Sequence, residues 1–296
     1  MTEIFDTHAH YDDEAFDSDR EELLRELPLN GIGRVVNVGA SLASCRRTLE
    51  LMEKHEFIYG ALGIHPSETA GLTKESFAWL GEQCSREKCV AVGEIGLDYH
   101  WEEPDRELQR YWFLRQLELA REKKLPVIIH SRDAARDTVE LMKEGRAEDI
   151  GGVIHCYSYT KETAKSFLDM GFFFGIGGVV TFGNAKKLKE AVEYIPMDRL
   201  VLETDCPYLA PVPNRGKRNS SLNLPYVIAE VARLKGIGEE EVRAAAWENA
   251  CRLYRLDKNG RICRDNSGGV CGKTAEESAG ITSGEGQRGI NENGER

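Results

Sequence analysis

Seven side chains able to bind a metal ion stand where short hydrophobic runs end, and no other feature constrains the fold of this chain as much. His8 and His10 follow Glu3-Ile4-Phe5, His65 follows Tyr59-Gly60-Ala61-Leu62, and Glu94 follows Val90-Ala91-Val92. His130 closes Pro126-Val127-Ile128-Ile129, His155 closes Gly152-Val153-Ile154, and Asp205 ends Leu200-Val201-Leu202-Glu203-Thr204. Runs this short and this rich in β-branched residues read as buried parallel strands, separated here by stretches with helical spacing. Arg34-Val35-Val36-Asn37-Val38 and Phe172-Phe173-Phe174-Gly175-Ile176 bring the strands to eight, each followed by a helix. The predicted fold is therefore a (β/α)₈ TIM barrel. All strands of such a barrel run the same way and their carboxyl ends gather on one face, where the active site sits. Residues scattered from position 8 to position 205 then converge on one small volume.

The length of 296 residues suits one barrel of about 250 residues and leaves no room for a second full domain. A formal net charge of -11 argues against broad nucleic-acid binding by a basic surface. It leaves open a local anion site, because bound divalent cations reverse the charge where they sit. The N-terminus runs straight into a strand and no apolar run approaches transmembrane length, so a cytoplasmic protein without a membrane partner is expected. The eight cysteines form no CxxC pair and read as small buried hydrophobes. Cys156 and Cys206 each follow a proposed ligand, and strand alternation turns them away from it.

Between the strands, Ser18 and Glu21 have capping-box spacing before Leu23, Leu24 and Leu27, and Pro104 suits the first turn of a helix carrying Phe113, Leu114, Leu117 and Ala120. Further helices are predicted over 42–54, 74–83, 134–143, 161–170, 185–194 and 224–234. A last one uses Val242, Ala246, Ala250 and Leu253. From about Lys258 the chain is dominated by Gly, Ser, Asn, Glu and Arg. A barrel over 1–257 followed by a disordered tail over 258–296 is expected.

His8 and His10, two residues apart, point to the same side of an extended strand and can hold one metal ion. Asp6 shares that side and is expected to orient one imidazole through its second nitrogen. The Glu94 carboxylate has two oxygens and can bridge two cations about 3.5–4 Å apart. His130 and His155 add two imidazoles, and Asp205 adds a second carboxylate. Glu203, two residues before Asp205, is read as an orienter rather than a ligand. His65 is expected at the rim, toward substrate. His55 and His100 fall outside the pattern as partly exposed histidines. Arg215, Lys217 and Arg218, in the loop after the eighth strand, are candidates for phosphate contact in an otherwise acidic protein. The imidazoles suit zinc or manganese and the two carboxylates tolerate magnesium, so two divalent cations of this group are the expected cofactors.

These segments together make the chain resemble the TatD family of metal-dependent deoxyribonucleases, a branch of the amidohydrolase superfamily. The matching segments are DTHAH at 6–10, GIHP at 63–66, GEIGLDYH at 93–100 and LPVIIHSRDA at 125–134. HCYS at 155–158, LETDCPYLAP at 202–211 and RGKRN at 215–219 complete them. The resemblance covers about residues 1–257 in the family's order. It implies a divalent-metal centre that hydrolyses phosphodiester bonds in DNA, often as an exonuclease from the 3′ end. By the same resemblance His8 and His10 hold one metal with Glu94 and Asp205, and Glu94 bridges to a second held by His130 and His155. His65 would contact the scissile phosphate. The chain departs from many members after RGKRN, where Ser220-Ser221-Leu222-Asn223 replaces a segment beginning with Glu or Asp. Asp205 is the expected base for the attacking water. The alternative within the superfamily is hydrolysis of a small amide, ester or cyclic C–N substrate, and the basic loop is the feature that points to phosphate.

Overall fold

The computed structural model describes residues 2–257 and 259–263. Eight strands pair in chain order and every pair is parallel. They are β1 (Ile4–Ala9), β2 (Ile32–Val38), β3 (Ile58–Leu62), β4 (Cys89–Asp98), β5 (Val127–Arg132), β6 (Gly152–Ile154), β7 (Phe173–Ile176) and β8 (Leu200–Leu202). The sheet curls back on itself where Ala9 bridges Cys206 and the His10 N–H donates to the Cys206 carbonyl at 2.8 Å. The expected (β/α)₈ barrel is the observed fold. Among the described residues no helix is long and apolar enough to cross a membrane.

The helices between the strands are α1 (Arg20–Leu29), α2 (Leu42–Lys54), α3 (Lys74–Gln83), α4 (Arg106–Lys123), α5 (Ala135–Glu144), α6 (Lys161–Asp169), α7 (Lys186–Tyr194), α8 (Leu224–Lys235) and α9 (Glu239–Leu253). Two expected starts differ. The Ser18–Glu21 capping box does not form: Asp19 occupies the cap position of α1 and makes no side-chain cap, because its carboxylate is held by both terminal nitrogens of Arg218. Pro104 lies ahead of α4, whose cap is Asp105 accepting from the Leu108 N–H at 3.1 Å.

Alternation along the strands divides the apolar residues into two clusters. Val35, Ile58, Val127, Ile129, Ile154, Phe174, Leu200 and Leu202 face outward and pack with the helices. Phe5, Val36, Tyr59, Val90, Ile128, Val153, Phe173 and Val201, one from each strand, form the inner cluster that Ala250, Leu253 and Tyr254 from the end of α9 close. Two residues beyond this inner layer, on the same side of their strands, stand His130, His155 and Glu203. The apolar plug thus sets the floor on which the polar site is built. β1 reaches the same level differently. Its register with β2 shifts between Ile4 and Phe5 and again between Asp6 and Ala9, so Phe5 and His8 are both buried inside although they stand an odd three positions apart.

The first residues of the expected tail still touch the barrel. Leu256 and Ile262 form an antiparallel bridge, Ile262 packs against the inner cluster, and the Tyr59 hydroxyl donates to the Gly260 carbonyl at 2.7 Å. An isolated apolar residue in a polar stretch found its partner on the barrel. The expectation of disorder for the remaining tail falls outside the described residues, as does Cys271.

Candidate metal centre

His8 and His10 approach each other through their Nε2 atoms, 3.1 Å apart. The His10 Nδ1 lies 2.8 Å from the Val38 carbonyl, which can only accept, so Nδ1 carries a proton and Nε2 is the nitrogen turned to the cluster. Glu94 Oε2 stands 3.5 Å from His8 Nε2 and 3.8 Å from His10 Nε2. Asp205 Oδ1 stands 3.6 Å and 3.3 Å from the same two atoms. Four donors around one ion at about 2.1 Å are separated by about 3.4 Å along the edges of a tetrahedron. These five separations surround that value, and the donor set of two imidazoles and two carboxylates fits a divalent cation.

The other oxygen of Glu94 faces a second group. Oε1 lies 2.8 Å from His130 Nδ1 and 2.9 Å from His155 Nε2. Three protein donors that leave a position open are the pattern of a catalytic rather than a structural site. The trios His8–His10–Glu94 and Glu94–His130–His155 each have the spacing of a metal cluster, as do His8–His155–Asp205 and His65–Asp98–His130. Among the described residues the His8 and His155 Nδ1 atoms are buried without a hydrogen-bond partner, at about 1–3 kcal/mol each. The electrostatics agree. Burial would push the Glu94 carboxyl up, yet the facing His155, His65 and His130 hold it well below the usual range. Burial opposes charge on His10, but Asp205 and Glu94 outweigh it and raise the ring to about 9. Burial, reinforced by His155, instead lowers the His8 ring, so ionised carboxylates stand beside at least one imidazole kept neutral with a lone pair to give, a combination suited to a cation.

β8 ends at Leu202, so the strand itself does not aim Asp205. Its left-handed φ of 55° does, with its N–H donating to the His8 carbonyl at 2.9 Å. Cys156 has the same conformation, φ 46°, and neither it nor Cys206 belongs to a donor cluster. Glu203 supports His155 from behind: its Oε1 accepts from the Cys156 N–H and lies 3.5 Å from His155 Nδ1, an ion-pair distance. Gly175 on β7 makes room for this carboxylate, since a Cβ there would overlap Glu203 Oε2. Because Glu203 is buried and tethered, Gly175→Ala is expected to destabilise the fold by about 1–3 kcal/mol. It should also weaken metal binding, which denaturant unfolding and metal titration would show together; a variant of wild-type stability and affinity would mean that Glu203 is free to move.

The expected role of Asp6 needs revision. Its carboxylate does not reach an imidazole nitrogen. It accepts from Thr204 Oγ1 at 2.7 Å and Ser221 Oγ at 2.6 Å, and burial, opposed by these bonds, pushes its carboxyl up to about 7. Asp6 ties β1 to the end of β8, and Ser221 of the departing Ser220-Ser221 segment is one of its two hydroxyl partners. His65 sits inside the cluster's reach, with Nε2 3.8 Å from Glu94 Oε1. Its Nδ1 accepts from the Ser67 N–H at 3.1 Å, so a neutral ring carries its proton on Nε2 and presents a donor, not a lone pair. Burial, assisted by His130, lowers this ring to about 3 and keeps it neutral.

The cavity over the cluster has a volume of about 710 Å³, and its wall includes residues that sequence reasoning missed. Asp98 is the plainest: Oδ2 lies 3.1 Å from His130 Nε2, and it follows Glu94 by four residues on the same strand, a spacing that signals the same side. Gly96 between them has φ 141° and passes so close to the His130 carbonyl that no Cβ fits. The Arg215, Lys217 and Arg218 segment is not part of the cavity wall. Arg218 is held by Asp19 and the Ala15 carbonyl, Arg215 stacks over Phe182 at 4.4 Å, and Asn219 Nδ2 donates to the Thr204 carbonyl at 2.9 Å. Local charge in the sequence did not reveal that two of these cations already have partners. His55 and His100 stay apart from the cluster, beside Glu21 and Asp133.

The family model for TatD-related DNases matches residues 5–255. An uncharacterized metal-dependent hydrolase of Bacillus subtilis, YabD, is 44% identical over 254 residues, covering 86% of this chain and all of the relative. The 3′-5′ ssDNA/RNA exonuclease TatD of Erwinia tasmaniensis is 31% identical over 259 residues, with 86% and 100% covered. The crystal structure of the TatD homolog YJJV from Escherichia coli superposes with a TM-score of 0.81 at 30% identity, covering 86% of this chain and 98% of the other. The chain therefore belongs to the TatD-related DNase family of metal-dependent hydrolases.

Proposed function

We propose that this protein hydrolyses phosphodiester bonds in DNA at a centre of two divalent cations, removing nucleotides from a 3′ end. The observation that carries the reading is the division of Glu94, with Oε2 turned to His8 and His10 and Oε1 to His130 and His155. His8, His10, Glu94 and Asp205 would hold one ion; Glu94, His130 and His155 would hold the other. Bound there, two cations would polarise the phosphate and bring the pKa of water toward neutrality. Asp205 keeps Oδ1 toward His8 and His10 and takes the proton of the attacking water on Oδ2. The neutral His65 donates from Nε2 to a phosphate oxygen, and Glu203 keeps the His155 ring from turning. The direction of digestion follows the family resemblance and the printed activity of the Erwinia relative.

Metal removal tests this directly. The chelated protein is expected to lose activity on an end-labelled oligonucleotide and to regain it with zinc, manganese or magnesium, two equivalents binding per chain. At a hundredfold excess over Kd, each ion stabilises the fold by about 2.7 kcal/mol, so melting should rise by about 5–10 °C for each ion bound. Binding of a single equivalent would overturn the two-cation centre, and hydrolysis confined to lactone or dihydropyrimidine substrates would overturn the nuclease.

A further inference from the structure

Apart from the cluster's own imidazoles, the basic side chains of the cavity wall are two arginines, Arg47 and Arg132. Arg47, on α2, lies 3.9 Å from Asp12 Oδ2. Arg132 ends β5 two residues after His130, so alternation brings its side chain to the same side as that histidine. It is exposed, and among the described residues no carboxylate lies within ion-pair distance of its guanidinium. The wall is otherwise strongly acidic, with Asp12, Asp13 and Glu68 beside the metal-ligand carboxylates. An unpaired guanidinium there is a planar fork suited to a phosphate. Next to it, the chain leaving β4 is tied to β5 by the Tyr99 N–H donating to the Arg132 carbonyl at 2.9 Å. Two residues further on, Trp101 lines the same cavity with 59% of its surface exposed. An indole left in water beside a polar site has an open face for an aromatic ligand.

We propose that Trp101 and Arg132 form a nucleotide subsite at the cavity rim. Arg132 grips the phosphate next to the scissile one, and Trp101 stacks on the base it carries. This deepens the nuclease reading above and rests on it. It moves phosphate recognition from the loop after β8, where Arg215 and Arg218 already have partners, to the β4–β5 sector. A base can lie on the indole only if its own face is free, so the subsite selects an unpaired strand over a stacked duplex.

The test uses the full, metal-loaded protein and a single-stranded oligonucleotide whose 3′-terminal linkages are phosphorothioates. Of the chain's four tryptophans, Trp112 is buried, Trp247 lies under the barrel against Phe5, and Trp79 is covered by Arg46. Quenching of intrinsic fluorescence on binding therefore reports Trp101. Trp101→Phe should bind comparably without the quench, and Trp101→Ala should bind about ten- to a hundredfold more weakly. An oligonucleotide lacking the stacked base should lose that same factor against the wild type and nothing further against Trp101→Ala. Arg132→Ala should weaken binding of all sequences alike and lower the salt slope by about one, and Arg132→Lys should restore the slope. Turnover of a small chromogenic phosphodiester, which has no base to stack, should fall far less than that of the oligonucleotide. If the wild type binds and cuts DNA while Trp101→Ala and Arg132→Ala keep its affinity, quench and salt slope, the subsite is wrong and the nuclease stands. If the wild type neither binds nor cuts DNA, the nuclease reading fails and the subsite with it.

Discussion

Glu94→Ala is expected to abolish turnover, by at least about a thousandfold, and to lower the metal content at both positions at once. In the proposed centre every other donor would serve one ion, whereas the two oxygens of Glu94 face different imidazole pairs. His155→Ala should therefore deplete mainly the second ion, and His10→Ala mainly the first. Elemental analysis of the three purified variants separates these patterns. A Glu94→Ala protein that kept both ions would remove the bridge and leave two independent sites. The residue is buried and its pairs with His130 and His155 are close, so circular dichroism should accompany the metal analysis and exclude a collapsed barrel.

Asp205→Asn should reduce turnover by about 10²–10⁴-fold while the fold and most of the second-site metal remain. The amide preserves the shape of the side chain but cannot take a proton. Asparagine also tolerates the left-handed backbone found at Asp205, so the substitution isolates chemistry from conformation. Turnover, circular dichroism and metal content measured on one preparation decide the matter. Near-normal turnover would take Asp205 out of the role of base, and complete loss of both metals would make it a ligand before anything else.

The barrel and the inward placing of His130 and His155 were legible in the sequence because both follow from alternation. On β5, β6 and β8 a hydrophobic residue of the inner layer is followed two positions later by a polar one, as in Ile128 and His130, Val153 and His155, Val201 and Glu203. Where the backbone breaks the period, the reading faltered. The spacing from His8 points Asp6 at an imidazole, whereas the register shift between Asp6 and Ala9 sends its carboxylate to Thr204 and Ser221. Long-range pairing was equally hidden: nothing near Arg218 in sequence reveals Asp19, and nothing near Ile262 reveals the floor of the barrel. Asp98 could have been found by carrying the period two steps past Glu94. Arg132 and Trp101 could not be distinguished from ordinary loop residues without seeing which side chains were left unpartnered.

The closure of the barrel would give the first proposed ion a mechanical role. His8 and His10 come from the first strand and Asp205 from the segment beyond the last, and these are the two edges that meet through Ala9 and Cys206. The seam between them has only a few backbone hydrogen bonds, with His10 and Asp205 themselves supplying two of the donors. A cation held there as proposed would be a clasp on the ring: neither terminal half of the polypeptide could assemble that coordination sphere alone, and opening the seam would pull its ligands apart.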